Sequence, residues 1–302
     1  MEHRHKVDLM RRHLLLGSAA LGAAAWIPPV FAASGGITAA IDAGAARPPI
    51  SPMIYGGFIE HIGNLINHSL WSETLDDRQF YYGVVAQRDG KPADRRGAMG
   101  FMEKWVAIGP MSAIALDTEN PWVGEHSPVV TLDGTQERGM VQHGLALKSG
   151  TAYDGRIVLW ADPGVTVTVR LVPGDGGEPR SIRVRASSAW ATQRFSFDPG
   201  IDATDARLEI LGQGRGRFGV GAVSLMPADN VRGFRADTVA LMKQMNCHIL
   251  RMPGGNFISA HDWEDSIGDP DRRPPVMDPV WSAVQPNDVG VDELLQLCEL
   301  IE

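Results

Sequence analysis

The stretch Leu250-Arg-Met-Pro-Gly-Gly-Asn-Phe257, continued by His261-Asp-Trp-Glu-Asp265 and Asp271-Arg-Arg-Pro274, holds the most distinctive chemistry of the chain. Cys247 to Met252 is apolar enough to read as a buried strand. It ends at Pro253-Gly254-Gly255, where the backbone must turn sharply and a bulky side chain would intrude. An amide (Asn256), a tryptophan (Trp263), acids (Asp262, Glu264, Asp265) and paired arginines (Arg272, Arg273) follow. Aromatics, amides, acids and arginines are the groups that bind a sugar, by stacking on C–H faces and by paired hydrogen bonds to hydroxyls. The alternative is an ordinary polar loop after a buried strand, with Gly-Gly serving only the turn. In a β/α barrel such a loop is where substrate chemistry sits.

Working outward, the texture of the chain changes twice. Ile37 to Ile41 and Pro52 to Ile59 read as short strands, and residues 76 to 126 as irregular with a helix around Met99 to Val106. From about Pro128 to Met226 come short alternating runs: Val129–Leu132, Gly139–Lys148, Arg156–Trp160, Val165–Val172, Arg180–Ala186, Gln193–Phe197, Ala206–Leu211 and Phe218–Leu225. Gly, Pro and Asp turns separate them, the spacing of an antiparallel sandwich. Beyond Asp229 the period becomes helical, with Phe234, Leu241, Met242 and Met245 on one face and Asn246 as the stop. After the strand and its long loop, Val291 to Ile301 reads as a helix with Val291, Leu294, Leu295, Cys298 and Ile301 on one stripe. Strand, crossover helix, strand and helix, with a sandwich spliced in, predicts an α/β fold: the N-terminal part of a (β/α)8 TIM barrel interrupted by a jelly-roll-like antiparallel β-sandwich. The expected divisions are 1–32, an export signal; 33–126, the start of the barrel; 127–228, the inserted sandwich; and 229–302, the barrel resumed.

Composition narrows the function classes. The 302 residues are 44% hydrophobic and 21% charged, as in a soluble globular protein. A net charge of -8 without a basic block argues against a nucleic-acid partner. Arg11-Arg12, the apolar run Leu14 to Ala25, Pro28-Pro29 and Val30-Phe31-Ala32 have the order of an export signal cut after Ala32. The arginine pair resembles a twin-arginine signal, though Sec export also tolerates two arginines. The expectation is a bacterial protein exported to the periplasm or beyond, with no membrane contact once the signal is cut. Cys247 and Cys298 are the two cysteines; without CxxC or His spacing they read as small core residues, and an exported context permits a disulfide between them. No metal and no cofactor is expected.

The Leu250–Phe257 stretch, with its Trp-Glu-Asp turn and Asp-Arg-Arg-Pro run, resembles the second-strand signature of glycoside hydrolase family 51, the α-L-arabinofuranosidases. Upstream, Ile50-Ser-Pro-Met-Ile-Tyr-Gly-Gly-Phe-Ile-Glu-His-Ile-Gly63 resembles the first barrel strand of that family, which ends in Glu-His. Met252 departs from the pattern, where an aromatic commonly stands. The resemblance implies release of arabinofuranosyl residues from arabinan or arabinoxylan with retention of configuration, and a carbohydrate-binding-module-like insertion as the sandwich. It implies that Glu60 and Asn256 contact the sugar and that Arg251 orients carboxylates, or else forms a structural ion pair. Trp263 is a candidate sugar platform or a packing aromatic of a long loop. In the sandwich, Trp160 and Trp190 read as either a sugar platform or core.

A retaining glycosidase needs two carboxyl groups about 5 Å apart. In the family the acid/base glutamate sits in an Asn-Glu pair, and this sequence contains no Asn-Glu dipeptide. No catalytic residue is therefore nominated. Glu60 reads as a binder, Glu264 as part of the loop, and Glu293 as a first-turn acid favoured by the helix dipole. The expectation is a chain inactive by itself, the substrate-holding piece of a longer enzyme. Its alternative is a non-catalytic carbohydrate-binding fragment.

Overall fold

The computed structural model describes residues 39–42, 44–45, 48–86, 104–174 and 176–302. The expected export signal lies outside them, as do the first residues of the expected strand at Ile37 and of the expected helix at Met99. Two units divide at Ile50/Ser51, and every regular element named below belongs to the second.

In chain order the elements are β1 (Gly56–Phe58), β2 (Val84–Val85), β3 (Trp105–Ile108), β4 (Ile114–Asp117), β5 (Ser127–Asp133), β6 (Arg138–Leu147), β7 (Tyr153–Ala161) and β8 (Thr166–Val172). They continue with β9 (Arg180–Val184), β10 (Ala191–Phe197), β11 (Ala203–Gln213), β12 (Arg215–Pro227), α1 (Ala236–Met245), β13 (Ile249–Arg251), β14 (Val276–Asp278), β15 (Ala283–Gln285) and α2 (Val291–Ile301). Two sheets make the body, ordered β10-β7-β12-β5-β4 and β2-β3-β6-β11-β8-β9. All their pairs are antiparallel except β2 with β3.

Alternation builds this body. On β8, Val167, Val169 and Leu171 are fully buried while Thr166, Thr168 and Arg170 are only partly so. Val130 and Leu132 on β5, Ile157 and Leu159 on β7, Phe218 and Val220 on β12, and Leu208 and Ile210 on β11 close the same core. Each such side chain contributes about 1.5–3 kcal/mol through burial. Every run expected between Val129 and Leu225 is a strand. The sandwich also takes in β2, β3 and β4 upstream of residue 127, and Trp105 of β3 is fully buried in its core. The helix expected to end at Val106 is therefore a strand where it is described.

The expected TIM barrel is not formed. The described chain is mostly β with two α-helices, and the barrel-like part is a single parallel pair, β1 with β13 (Gly56↔Ile249, Phe58↔Arg251), with α1 preceding β13. Among the described residues no further strand extends this pair. The expected buried strand is also corrected: Ile249 is 51% exposed and Phe58 50%, so β1 and β13 lie at the surface rather than inside a barrel wall. On α1 only Val239 is buried, and Leu241 and Met245 of the expected apolar face are exposed. Asn246 does stop the helix, in the left-handed conformation. On α2, Leu294 and Leu297 are buried, whereas Leu295 of the expected stripe is exposed. Cys247 and Cys298 are unpaired thiols, each half-buried.

A short neck leads into and out of the sandwich. Ser72 N–H donates to Gly233 O (2.9 Å), Thr74 N–H to Leu225 O (3.0 Å) and Arg235 N–H to Leu70 O (2.9 Å). Trp71 meets Phe234 edge-on at 5.2 Å, within a second core of Ile66, Leu70, Val239, Val289, Leu294 and Leu297.

The long loop after β13 is fastened to the sandwich through charge. Arg78, fully buried, donates from Nε to both oxygens of Asp288 (2.9 Å each) and from Nη1 to Asp271 (2.7 Å). Arg156 of β7 grips the same Asp271 through Nε (2.8 Å) and Nη2 (2.9 Å), and reaches Ser224 of β12. Burial opposes the charge of Arg78, but the Asp288 and Asp271 carboxylates outweigh it and raise its pKa. Arg272 lies over the Trp122 ring at 3.1 Å, and Arg273 pairs with Glu293 at 2.9 Å. The Asp271-Arg272-Arg273 run is loop-fixing.

Replacing Arg78 by Met strands Asp288 as a buried, unpaired carboxylate. R78M is expected to lower unfolding free energy by about 3–5 kcal/mol, read from the urea midpoint against the unaltered chain. A loss under about 1 kcal/mol would show that the cluster does not hold the loop.

Candidate functional site: a carboxylate held between two loop segments

Glu60 lies just past β1, and the Pro253-Gly254-Gly255 turn lies just past β13. The parallel pairing brings them together: Ile59 N–H donates to Arg251 O (3.1 Å) and Gly254 N–H to Ile59 O (2.8 Å). The two glycines then have separate work. A Cβ on Gly254 would sit 1.9 Å from the Phe58 ring. Gly255 has φ +64°, and a Cβ there would sit 1.9 Å from Glu60 Oε2. The turn closes against the carboxylate only because both side chains are missing.

Glu60 is 7% exposed, covered by loop rather than set in the sandwich core. Its Oε1 accepts from the Phe257 N–H (3.0 Å) and from Trp281 Nε1–H (2.9 Å). The Phe257 hydrogen bond leads in holding its carboxyl below the usual range, against desolvation; Trp281, the Asn256 N–H and the charge of Arg251 add to it. Glu60 is an ionised acceptor.

Beside it, His61 is buried, with its ring stacked on Phe257 at 4.2 Å, and His261 stacks on Phe257 at 4.6 Å. His61 Nε2 lies 3.2 Å from Val289 O; because a carbonyl only accepts, Nε2 carries the proton and Nδ1 is an acceptor. Nδ1 is buried and has no hydrogen-bond partner among the described residues. Burial pushes the His61 pKa down to about 4, so the ring is neutral at pH 7.

Of the residues expected from sequence, three converge. Glu60 is the centre, Asn256 contributes its backbone N–H while its side chain is exposed, and Arg251 contributes charge. The guanidinium of Arg251 lies 4.8 Å over the Phe58 ring. Trp263 begins a 3-10 turn, Trp263–Ser266, and is 55% exposed; among the described residues it stacks on no other ring. Trp281 was not expected. It sits in the turn between β14 and β15, held by Asp278 Oδ1, which accepts from Val280 N–H (2.8 Å). The unusual length of its loop was the sequence signal for a functional segment, but nothing periodic pointed to this tryptophan.

Residues 241–302 match the model described as the alpha-L-arabinofuranosidase 1 domain. This segment is similar to the α-L-arabinofuranosidase family. An intracellular exo-alpha-(1->5)-L-arabinofuranosidase of Acetivibrio thermocellus is 42% identical over 69 residues, 23% of this chain and 14% of that protein. Alpha-L-arabinofuranosidase 1 of Arabidopsis thaliana is 24% identical over 290 residues, 87% of this chain and 41% of that protein. The chain thus spans less than half the length of these arabinofuranosidase relatives. Among solved structures, TmCBM61 in complex with beta-1,4-galactotriose superposes with a TM-score of 0.38 at 17% identity, over 51% of this chain and 98% of that one. At that score the likeness adds nothing to the sheet topology already described.

Two measurements bear on the Glu60 site. In the unfolded chain His61 protonates below about 6.5, whereas in the fold it stays neutral to about 4. Its contribution is therefore full above 6.5 and is lost as pH falls towards 4, by on the order of 3 kcal/mol. H61Q should flatten the rise of unfolding free energy between these pH values; superimposable profiles would exclude the assignment. G255A should drive Glu60 off its donors, costing at least about 2 kcal/mol and shifting Trp281 emission. Unchanged emission and stability would show that the close approach is dispensable.

Proposed function

We propose that this chain belongs to glycoside hydrolase family 51 and forms part of a glycosidase acting on arabinose-containing polysaccharide, in which Glu60, Arg251 and Asn256 hold the sugar. The observation that carries the reading is the state of Glu60. A general acid needs a raised pKa, and a retaining enzyme needs a partner carboxylate about 5 Å away. Glu60 is the reverse, a carboxyl held ionised by fixed N–H donors. Glu293 is committed to Arg273 and to the N–H of Gly290, and Glu264 is exposed on its turn. A fixed carboxylate beside a guanidinium suits binding of sugar hydroxyls and leaves bond cleavage to groups elsewhere.

Calorimetric titration with α-1,5-arabinotriose tests this. The 302-residue chain should bind, and E60Q should weaken binding by about tenfold to a hundredfold, as expected for losing a hydrogen bond to a charged group. Neither should hydrolyse p-nitrophenyl α-L-arabinofuranoside. Hydrolysis abolished by E60Q would make Glu60 catalytic and overturn the assignment, as would equal binding by both proteins.

A further inference from the structure

The two faces of the five-stranded sheet differ in kind. One face carries Val130, Leu132, Ile157, Leu159, Phe218 and Val220 into the core. The other, one residue out of register on the same strands, carries Thr131, Trp160, Arg217 and Gly219. Register sets Trp160 of β7 beside Gly219 of β12, which is beside Val129 of β5 and Ala115 of β4. A groove of about 780 Å³ runs across this row, within the range of about 300–1,000 Å³ typical of ligand sites.

The indoles in the groove are seated, not incidental. A Cβ on Gly219 would lie 2.3 Å from Trp160 Nε1, so the ring rests directly on the bare backbone of β12. Outside the groove, Gly221 on the same strand likewise lies against Trp122, with an added Cβ 2.3 Å from the Trp122 Cβ. Trp190 stands at 89° to Trp160 with ring centroids 6.3 Å apart, so the pair makes a corner of two half-exposed rings. Arg217 lies 5.7 Å from the Trp160 centroid and fixes the outer edge.

Polar groups line the rest. Asp162 Oδ2 accepts from the Arg217 N–H (2.8 Å), and Asp117 Oδ1 accepts from Glu119 N–H (2.9 Å). Among the described residues the second oxygen of each carboxylate accepts no hydrogen bond, and the exposed Asn120 adds an amide. Aromatic faces set at a right angle, carboxylates and an amide, with one guanidinium, match the C–H faces and hydroxyls of a sugar chain. They do not match a polyanion. No residue of this groove is shared with the Glu60 site.

We infer that the outer face of the five-stranded sheet is a second carbohydrate site, in which Trp160 and Trp190 stack on successive units of a polysaccharide chain. The choice of a polysaccharide as the occupant rests on the functional reading above; the groove itself does not. The test is affinity electrophoresis of the whole chain in gels containing arabinan, arabinoxylan, xylan or galactan, with W160A, W190A and E60Q in parallel lanes and far-UV circular dichroism as the folding control.

The expected result is retardation of the unaltered chain and of E60Q by at least one of these polymers. W160A and W190A, with unchanged circular dichroism, should each bind that polymer at least about tenfold more weakly. Should either variant misfold, W160F and W190F replace it; these keep a ring and should retain part of the retardation. Retardation lost in E60Q but kept in both tryptophan variants would overturn the groove while leaving the Glu60 site standing. Absence of retardation by every polymer would overturn the groove outright.

Discussion

Arg78 is the point on which the rest of the molecule is hung. A fully buried guanidinium is tolerable only when its donors are met, and here they meet Asp288, Asp271 and the carbonyl of Pro270. Those acceptors all belong to the loop between β13 and α2, whereas Asp271 is gripped from the other side by Arg156 on the sandwich. Ser224, which Arg156 also reaches, donates to Glu73 at 2.5 Å, and Glu73 accepts the N–H groups of Thr74, Leu75 and Leu225. One network thus fastens the neck, the sandwich and the long loop. Glu60 inherits its position from that fastening, because Trp281 belongs to the same loop.

The carboxyl groups show how environment divides labour within one sequence. Glu73 sits wholly inside, where burial raises its pKa even though Arg78, the Leu225 N–H and the Ser224 hydroxyl oppose the rise. Asp271 is also desolvated, yet the hydrogen bonds and charges of Arg156 and Arg78 bring it below its ordinary value. Glu60 is lowered mainly by aimed N–H groups. The first two are structural, and only the third stands beside a cation-bearing turn at the end of two strands.

How far the sequence could be read depends on how local each cause is. Alternation on β5 to β12 is written in adjacent residues, and so are the Asn246 stop and the span of α2, which begins and ends as its periodicity predicts. The pairing of the Glu60 and Gly255 segments was legible only through the family motifs they resemble. The barrel was misread because a strand, a helix and a strand look the same locally whether or not further strands complete the sheet. Trp105 was missed because its burial is decided by β6, far along the chain, and Trp281 because its value comes from one hydrogen bond across the fold. Whether Trp160 faces the core or the outside was equally invisible; the pairing of β7 with β12 decides it.

The neck sets an order of events. Phe58 and Arg251 stand opposite each other in the β1–β13 pair although almost two-thirds of the chain separates them. Closing so long a loop carries an entropy penalty that the few hydrogen bonds of a short parallel pair cannot meet alone. Once the sheets have formed, Leu70 to Thr74 lie against Leu225 to Arg235, and the effective loop shrinks to the two short arms beyond. The Glu60 carboxylate is therefore assembled last, and its integrity reports on whether the sandwich has already folded.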